Sequence, residues 1–147
     1  MPLFVEILSE SAILPSVAHP GEDLGFDLYA LNSVDLLPGK VTMVSTGIAA
    51  LFVSDTNPEE KWGFLYRDRS SMASKGIAVS GGVIDAGYTN ELRVLLTNHT
   101  ETAYQINAGD RIVQMIPQQV QTNTEIKKVD KLPSSSRGEK GFGSSGR

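Results

Sequence analysis

Gly81-Gly82-Val83-Ile84-Asp85-Ala86-Gly87-Tyr88-Thr89-Asn90-Glu91 is the stretch around which the rest of the chain is arranged. It opens on a glycine pair and closes on a turn. Between them stands one carboxylate beside an apolar pair, with an aromatic three residues later. Glycine takes positive φ at little cost and lets a backbone come close to another group. Asp85-Ala86-Gly87 is β-turn chemistry, which would hold Asp85 and Tyr88 on one rim. Alone, the segment reads as a tight turn between two strands, and it makes its neighbours β.

Working outward, strand signals continue in both directions. Trp62 to Arg67 and Ile77 to Val79 precede the turn; Leu92 to Thr97, Arg111 to Ile116 and Glu125 to Val129 follow it. Earlier still come Leu3 to Leu8, Phe26-Asp27-Leu28-Tyr29-Ala30, Val41 to Val44 and Gly47 to Val53. The connections are short and rich in Gly, Pro, Asn and Asp. At most one helical turn is expected, around Ser70 to Lys75. Many short strands with regular turn signals predict an all-β sandwich or barrel. From Pro133 the composition changes to Gly, Ser and charge, so residues 1–132 read as one domain and 133–147 as a mobile arm.

The chain has 147 residues, 40% hydrophobic and 20% charged, with a net charge of -4. That balance fits a single globular core and argues against a general nucleic-acid or anionic-membrane binder, since both need a basic face. A polyphosphate ligand would then be met by a few focused cations and a metal. There are no cysteines, which excludes disulfides, thiolate metal sites and a cysteine nucleophile. The first ten residues lack a basic region and carry Glu6 and Glu10, which makes a poor signal peptide. The expectation is a soluble, cytoplasmic protein.

Four further segments carry candidate chemistry. In Gly25-Phe26-Asp27-Leu28-Tyr29-Ala30, alternation sets Asp27 and Tyr29 on the face opposite Phe26, Leu28 and Ala30. Asp27 is either a solvent-facing acid or a hard oxygen ligand acting on Mg²⁺ through water. In Arg67-Asp68-Arg69-Ser70-Ser71-Met72, a guanidinium fork, two hydroxyls and free amides suit phosphate oxygens, or else form a capped surface turn. In Asp110-Arg111-Ile112-Val113-Gln114-Met115-Ile116, alternation puts Gln114 on the face of Ile112 and Ile116. There its amide needs a buried backbone group or a ligand oxygen. In the arm, Arg137 and Lys140 flank Phe142, a ring and cations on a flexible segment that could close as a lid.

Each signal is weak singly, but their order is specific. Together they closely resemble the five ordered motifs of the trimeric dUTP pyrophosphatases (dUTPases), from about residue 3 to the C-terminus. The resemblance implies a β jelly-roll and a homotrimer whose sites lie at subunit boundaries, one chain lending its arm to a site built by the other two. It implies hydrolysis of dUTP to dUMP and pyrophosphate with Mg²⁺, and Asp85 as the base that activates the attacking water. Tyr88 would lie against the deoxyribose and leave no room for a 2′-hydroxyl. The hairpin from Ala78 to Gly82 would read the uracil edge, with Gly81, Gly82, Val83 and Ile84 in the binding segment and Arg93 contributing its backbone. Arg69, Ser70, Ser71 and Gln114 would hold phosphates, and Asp27 would touch the metal's water shell. Arg137 would grip the γ-phosphate and Phe142 stack on uracil, assisted by Gly143 and Ser144.

Departures from the pattern are modest: Ser71-Met72 stands for a common Gly-Leu, Thr89-Asn90 for Arg-Gly, and Ser145 for Thr. His19 and His99 match no motif and read as structural or exposed. Two alternatives stand beside the dUTPase reading. A dCTP deaminase shares the fold but is generally longer and lacks the Phe-Gly-Ser arm. A non-catalytic nucleotide-binding relative would be expected to lose Asp85 or the arm.

Overall fold

The computed structural model describes residues 2–121 and 124–134. Its strands are β1 (Leu3–Ile7), β2 (Phe26–Tyr29), β3 (Val34–Leu36), β4 (Val41–Val44), β5 (Ile48–Phe52), β6 (Trp62–Arg67), β7 (Ile77–Ser80), β8 (Val83–Ile84), β9 (Val94–Asn98), β10 (Tyr104–Ile106) and β11 (Arg111–Gln119), with one helical turn, α1 (Ser70–Ala73). All ladders are antiparallel. They pair strands distant in sequence, in the orders β2-β11-β6-β8, β4-β9-β7, β1-β5 and β10-β3. This wrapped order is a jelly roll.

The core follows from alternation. Val94, Leu96 and Asn98 of β9 point inward, and the two apolar residues are at most 1% exposed. They meet Leu28, Leu36, Ile48, Phe64, Ile77, Ile106, Val113 and Met115. Each such side chain is worth roughly 1.5–3 kcal/mol of transfer free energy. Asn98 is fully buried but satisfied: its amide donates to the carbonyls of Leu36 and Thr102, both at 2.8 Å. Proline in the long strand β11 is tolerated for a local reason. The pairing with β2 ends at Met115, so at Pro117 the strand has a neighbour, β6, on one side only.

Two expectations need correction. Glu125–Val129 forms no strand. Its apolar residues Ile126 and Val129 are 96% and 53% exposed, and no strand edge among the described residues receives them. The predicted alternation of β11 is also broken, by a bulge between Arg111 and Val113. Ile112 is the extra residue, buried in the core, and Gln114 does not share a simple face with it. The short strands β3, β8 and β10 escaped the sequence reading. Among the described residues no helix is long and apolar enough to cross a membrane.

Candidate active site

The β11 bulge builds the first half of the site. Arg111 lies opposite Tyr29, and Gln114 opposite Asp27. Tyr29 and Asp27 are two apart in β2 and share a face, so Arg111 and Gln114 share it too. Without the inserted residue, positions three apart would face opposite ways. Gln114 also pairs with Arg67 of β6, so Asp27, Gln114 and Arg67 form a polar row across three strands.

Asp27 is no solvent-facing acid: it is 8% exposed. Its Oδ1 accepts from Arg69 Nε at 2.9 Å and its Oδ2 from Arg111 Nη1 at 3.1 Å. Arg69 Nη1 reaches the Arg111 carbonyl at 3.1 Å and Ser71 Oγ at 3.4 Å. The Arg69 guanidinium, three of whose five donors are thus spoken for, is held beside the start of α1. Arg69 occupies the N-cap position but makes no side-chain cap. The helical bonds begin with Met72 and Ala73 donating to the Arg69 carbonyl, ahead of which sit the amides of Ser70 and Ser71. A polar depression of about 230 Å³ opens here, lined by Arg69, Ser71, Lys75, Tyr104, Asp110 and Arg111. The half-buried Gln114 amide has no hydrogen-bond partner among the described residues.

The second half is the stretch from Gly81 to Arg93. β7 pairs with β9 and β8 with β6, so Gly81-Gly82 is the corner at which the chain passes between sheets, and Ala78 to Gly82 does not close a ladder with β8. Gly81 takes φ +63, and a Cβ on Gly82 would stand 2.8 Å from the Tyr66 carbonyl oxygen. Both glycines are therefore required by the fold itself. Tyr66 donates its amide to the Gly82 carbonyl at 2.7 Å. Burial, reinforced by the neighbouring Tyr88, holds the Tyr66 hydroxyl far above the ordinary phenol range.

Past β8, the Tyr88 amide donates to the Asp85 carbonyl at 3.0 Å, closing the expected turn. Asp85 and Tyr88 both stand exposed on its rim. Val83 is 71% exposed at the sheet edge, and Ile84 packs against the core. The Tyr88 hydroxyl donates to the Glu91 carbonyl at 3.0 Å. The Arg93 side chain is engaged by Glu91 through Nε at 2.7 Å. Burial opposes ionisation of Glu91, but the Arg93 and Gly47 contacts outweigh it and hold its carboxyl below the usual range.

One chain does not bring the halves together. Ile84 pairs with Phe64, which puts Asp85 beside Gly63, whereas Gln114 pairs with Arg67 at the other end of β6. Four positions of strand separate them, about 13 Å. Arg137, Phe142, Gly143 and Ser144 lie outside the described residues. Sequence reasoning missed Asp68, whose Oδ1 accepts from the Val79 amide at 2.6 Å and ties the arginine loop to β7. Aspartate next to the Arg69-Ser70-Ser71 run was the available signal. It also missed Arg111, whose role depends on the bulge, and Glu91.

Among the described residues no three His, Cys, Asp or Glu side chains cluster to hold a metal. Mg²⁺ usually takes one or two carboxylates plus substrate phosphates and keeps several waters. The site fits that mode: each Asp27 oxygen accepts one guanidinium hydrogen bond and retains capacity for a metal-bound water.

A dUTPase family model matches residues 10–146. The deoxyuridine 5′-triphosphate nucleotidohydrolase of Solibacter usitatus is 40% identical over 153 residues, covering 100% of this chain and 97% of that one. The enzyme of the same name from Picosynechococcus is 39% identical over 142 residues, 95% and 94% of the two chains. Among solved structures, the dUTPase of Staphylococcus bacteriophage 80alpha with dUPNHPP matches with a TM-score of 0.86 at 29% identity, covering 99% of each chain. A variant dUTPase of S. aureus phage phi11, whose structure details the coordination of a structural Mg(II) ion, matches at 0.78 and 27%, covering 91% of this chain and 100% of that one. The family model spans nearly the whole chain and the relatives match end to end: the chain belongs to the dUTPase family.

Proposed function

We propose that this protein hydrolyses dUTP to dUMP and pyrophosphate, lowering dUTP and supplying dUMP. The observation that carries the reading is the exposed Asp85 carboxylate on a closed turn, three residues before the exposed ring of Tyr88. Asp85 takes a proton from the water that attacks the α-phosphorus, while the bond from that phosphorus to the bridging oxygen breaks and pyrophosphate leaves. A positioned base of this kind contributes about 10² to 10⁴ in rate. Tyr88 lies against the deoxyribose and leaves no space for a 2′-hydroxyl. Gly81, Gly82, Val83, Ile84 and the Arg93 backbone border the base. A site that hydrogen-bonds a ligand's polar edge rejects a mismatched one by about 10⁴ to 10⁵.

Arg69, Ser70, Ser71 and Gln114 receive the phosphates and align them for in-line displacement, the electrostatic share of catalysis. Mg²⁺ bound with the triphosphate supplies charge neutralisation, and Asp27 contacts its water shell. The offset of four positions along β6 between Asp85 and the polar row, about 13 Å in that direction alone, favours sites completed between subunits of a homotrimer. So do the exposed Ile126, Val129 and Leu132 beyond β11, apolar residues suited to a neighbouring chain. Residues 133–147 form the arm that closes a neighbouring site, through Arg137, Phe142, Gly143 and Ser144. The absence of cysteine fits a cytoplasmic location. The deaminase alternative is not favoured, because the matched relatives are nucleotidohydrolases. The test is pyrophosphate release from dUTP, UTP, dCTP and dTTP. Turnover confined to dUTP is expected; ammonia release from dCTP would overturn the reading.

A further inference from the structure

The Asp85–Tyr88 turn is exposed and short, so something must fix where the Tyr88 ring stands. Its hydroxyl is tethered to one atom, the Glu91 carbonyl oxygen, at 3.0 Å. Glu91 is itself fastened. Oε1 accepts the Gly47 amide at 3.0 Å and Oε2 accepts Arg93 Nε at 2.7 Å, and the Glu91 side chain is only 17% exposed. Gly47 is well placed to receive it. It stands at φ +71 in the β4–β5 connection, and its carbonyl accepts the Leu8 amide at 2.8 Å. The next residue along completes the splice: Leu92 donates to the Ile48 carbonyl at 2.8 Å, and the Thr46 hydroxyl donates to the Leu92 carbonyl at 2.5 Å.

We infer that Glu91 is a positioning residue for sugar discrimination: its carboxylate, held between the Gly47 amide and Arg93, locks the carbonyl to which the Tyr88 hydroxyl is tied, and so sets the distance between the Tyr88 ring and the sugar. The inference rests on Tyr88 being the sugar-facing residue. Glu91 touches no substrate atom in this account. Its effect is read in selectivity, because a ring free to withdraw by an ångström admits a 2′-hydroxyl that the tethered ring excludes. Misplacements of that size cost up to about 10²-fold in well-oriented sites.

The experiment compares kcat/KM for dUTP and UTP on the full chain in its assembled state. Glu91→Ala is expected to lower the dUTP/UTP ratio by about tenfold or more. Tyr88→Phe, which keeps the ring but loses the tether, should lower it similarly, and combining the two should add little. Glu91→Gln retains an acceptor for the Gly47 amide but sets an Nε2 donor against Arg93 Nε, so it should restore only part of the ratio, to about the threefold loss expected of Arg93→Ala. Should Glu91→Ala fail to fold, Arg93→Ala removes one restraint from an exposed side chain and should lower the ratio about threefold, the size of a partly exposed ion pair. An unchanged ratio in Glu91→Ala, or in Arg93→Ala where the former does not fold, overturns the inference. Tyr88→Ala separates the two levels. If it collapses the ratio while the Glu91 and Arg93 variants do not, only the positioning role falls; if it leaves the ratio intact, the sugar-facing reading of Tyr88 falls with it.

Discussion

Replacing Asp27 with asparagine removes one charge from a position where two guanidinium groups converge. The Arg69–Asp27 contact is the costly one to lose, at 2.9 Å with side chains 20% and 10% exposed. A hydrogen bond to a charged group in such a setting is worth about 1.5–3 kcal/mol net. The Arg111 contact adds less, since that side chain is 48% exposed and solvent screens it; about 0.5 kcal/mol is reasonable. Asparagine can still accept from Arg69 through Oδ1, but its Nδ2 then faces Arg111, donor against donor. The expected loss is therefore about 2–3 kcal/mol of stability. Urea denaturation followed by circular dichroism, at fixed protomer concentration because assembly contributes, measures it. Activity should fall with it, as Arg69 loses the carboxylate that aims it. Added Mg²⁺ should not restore that activity if Asp27 acts mainly by holding arginines, and should restore much of it if Asp27 acts mainly through the metal's waters. A stability change below about 0.5 kcal/mol, the noise of ordinary surface substitutions, would refute the reasoning from the buried ion pairs.

Further expectations follow from the same geometry. Gly82→Ala drives a Cβ to 2.8 Å from the Tyr66 carbonyl and should cost about 1–3 kcal/mol as β8 is forced off β6; Gly87→Ala, with nothing within 4 Å, should melt near the parent temperature. Glu91 has a folded pKa held below its ordinary 4.5 by Arg93 and Gly47 despite the opposing effect of burial. Its stabilising contribution is therefore complete above that value and lost as pH falls through the lower folded one, so denaturation of Glu91→Gln should depend less on pH in that acid range. Truncation after Pro133 should leave a folded assembly by light scattering with badly impaired hydrolysis; full activity would remove the arm from the site.

What the sequence made legible was mostly local chemistry. The turn at Asp85-Ala86-Gly87, the single helical turn after Arg69 and the apolar face of β2 follow from period and turn residues, and the structure has them. What escaped depended on distant partners. A bulge at Ile112 has no signature in an alternating run, yet it turns Arg111 toward Asp27. The glycine pair points to a close approach of backbone to ligand; in the fold Gly82 makes room first for the Tyr66 backbone. Asp68 and Glu91 look like ordinary surface acids until the chain brings Val79 and Gly47 to them. Glu125–Val129 has strand composition without a partner edge among the described residues, and composition cannot supply an edge.

The central claim is that Asp85 activates the water. The most direct measurement is single-turnover hydrolysis of dUTP by Asp85→Asn beside equilibrium binding of a non-hydrolysable dUTP analogue. Asparagine keeps the size and the turn but cannot take the proton. The account predicts nearly unchanged binding with the chemical step slowed about 10² to 10⁴-fold. A variant that binds the analogue and hydrolyses dUTP at the parent rate would contradict it.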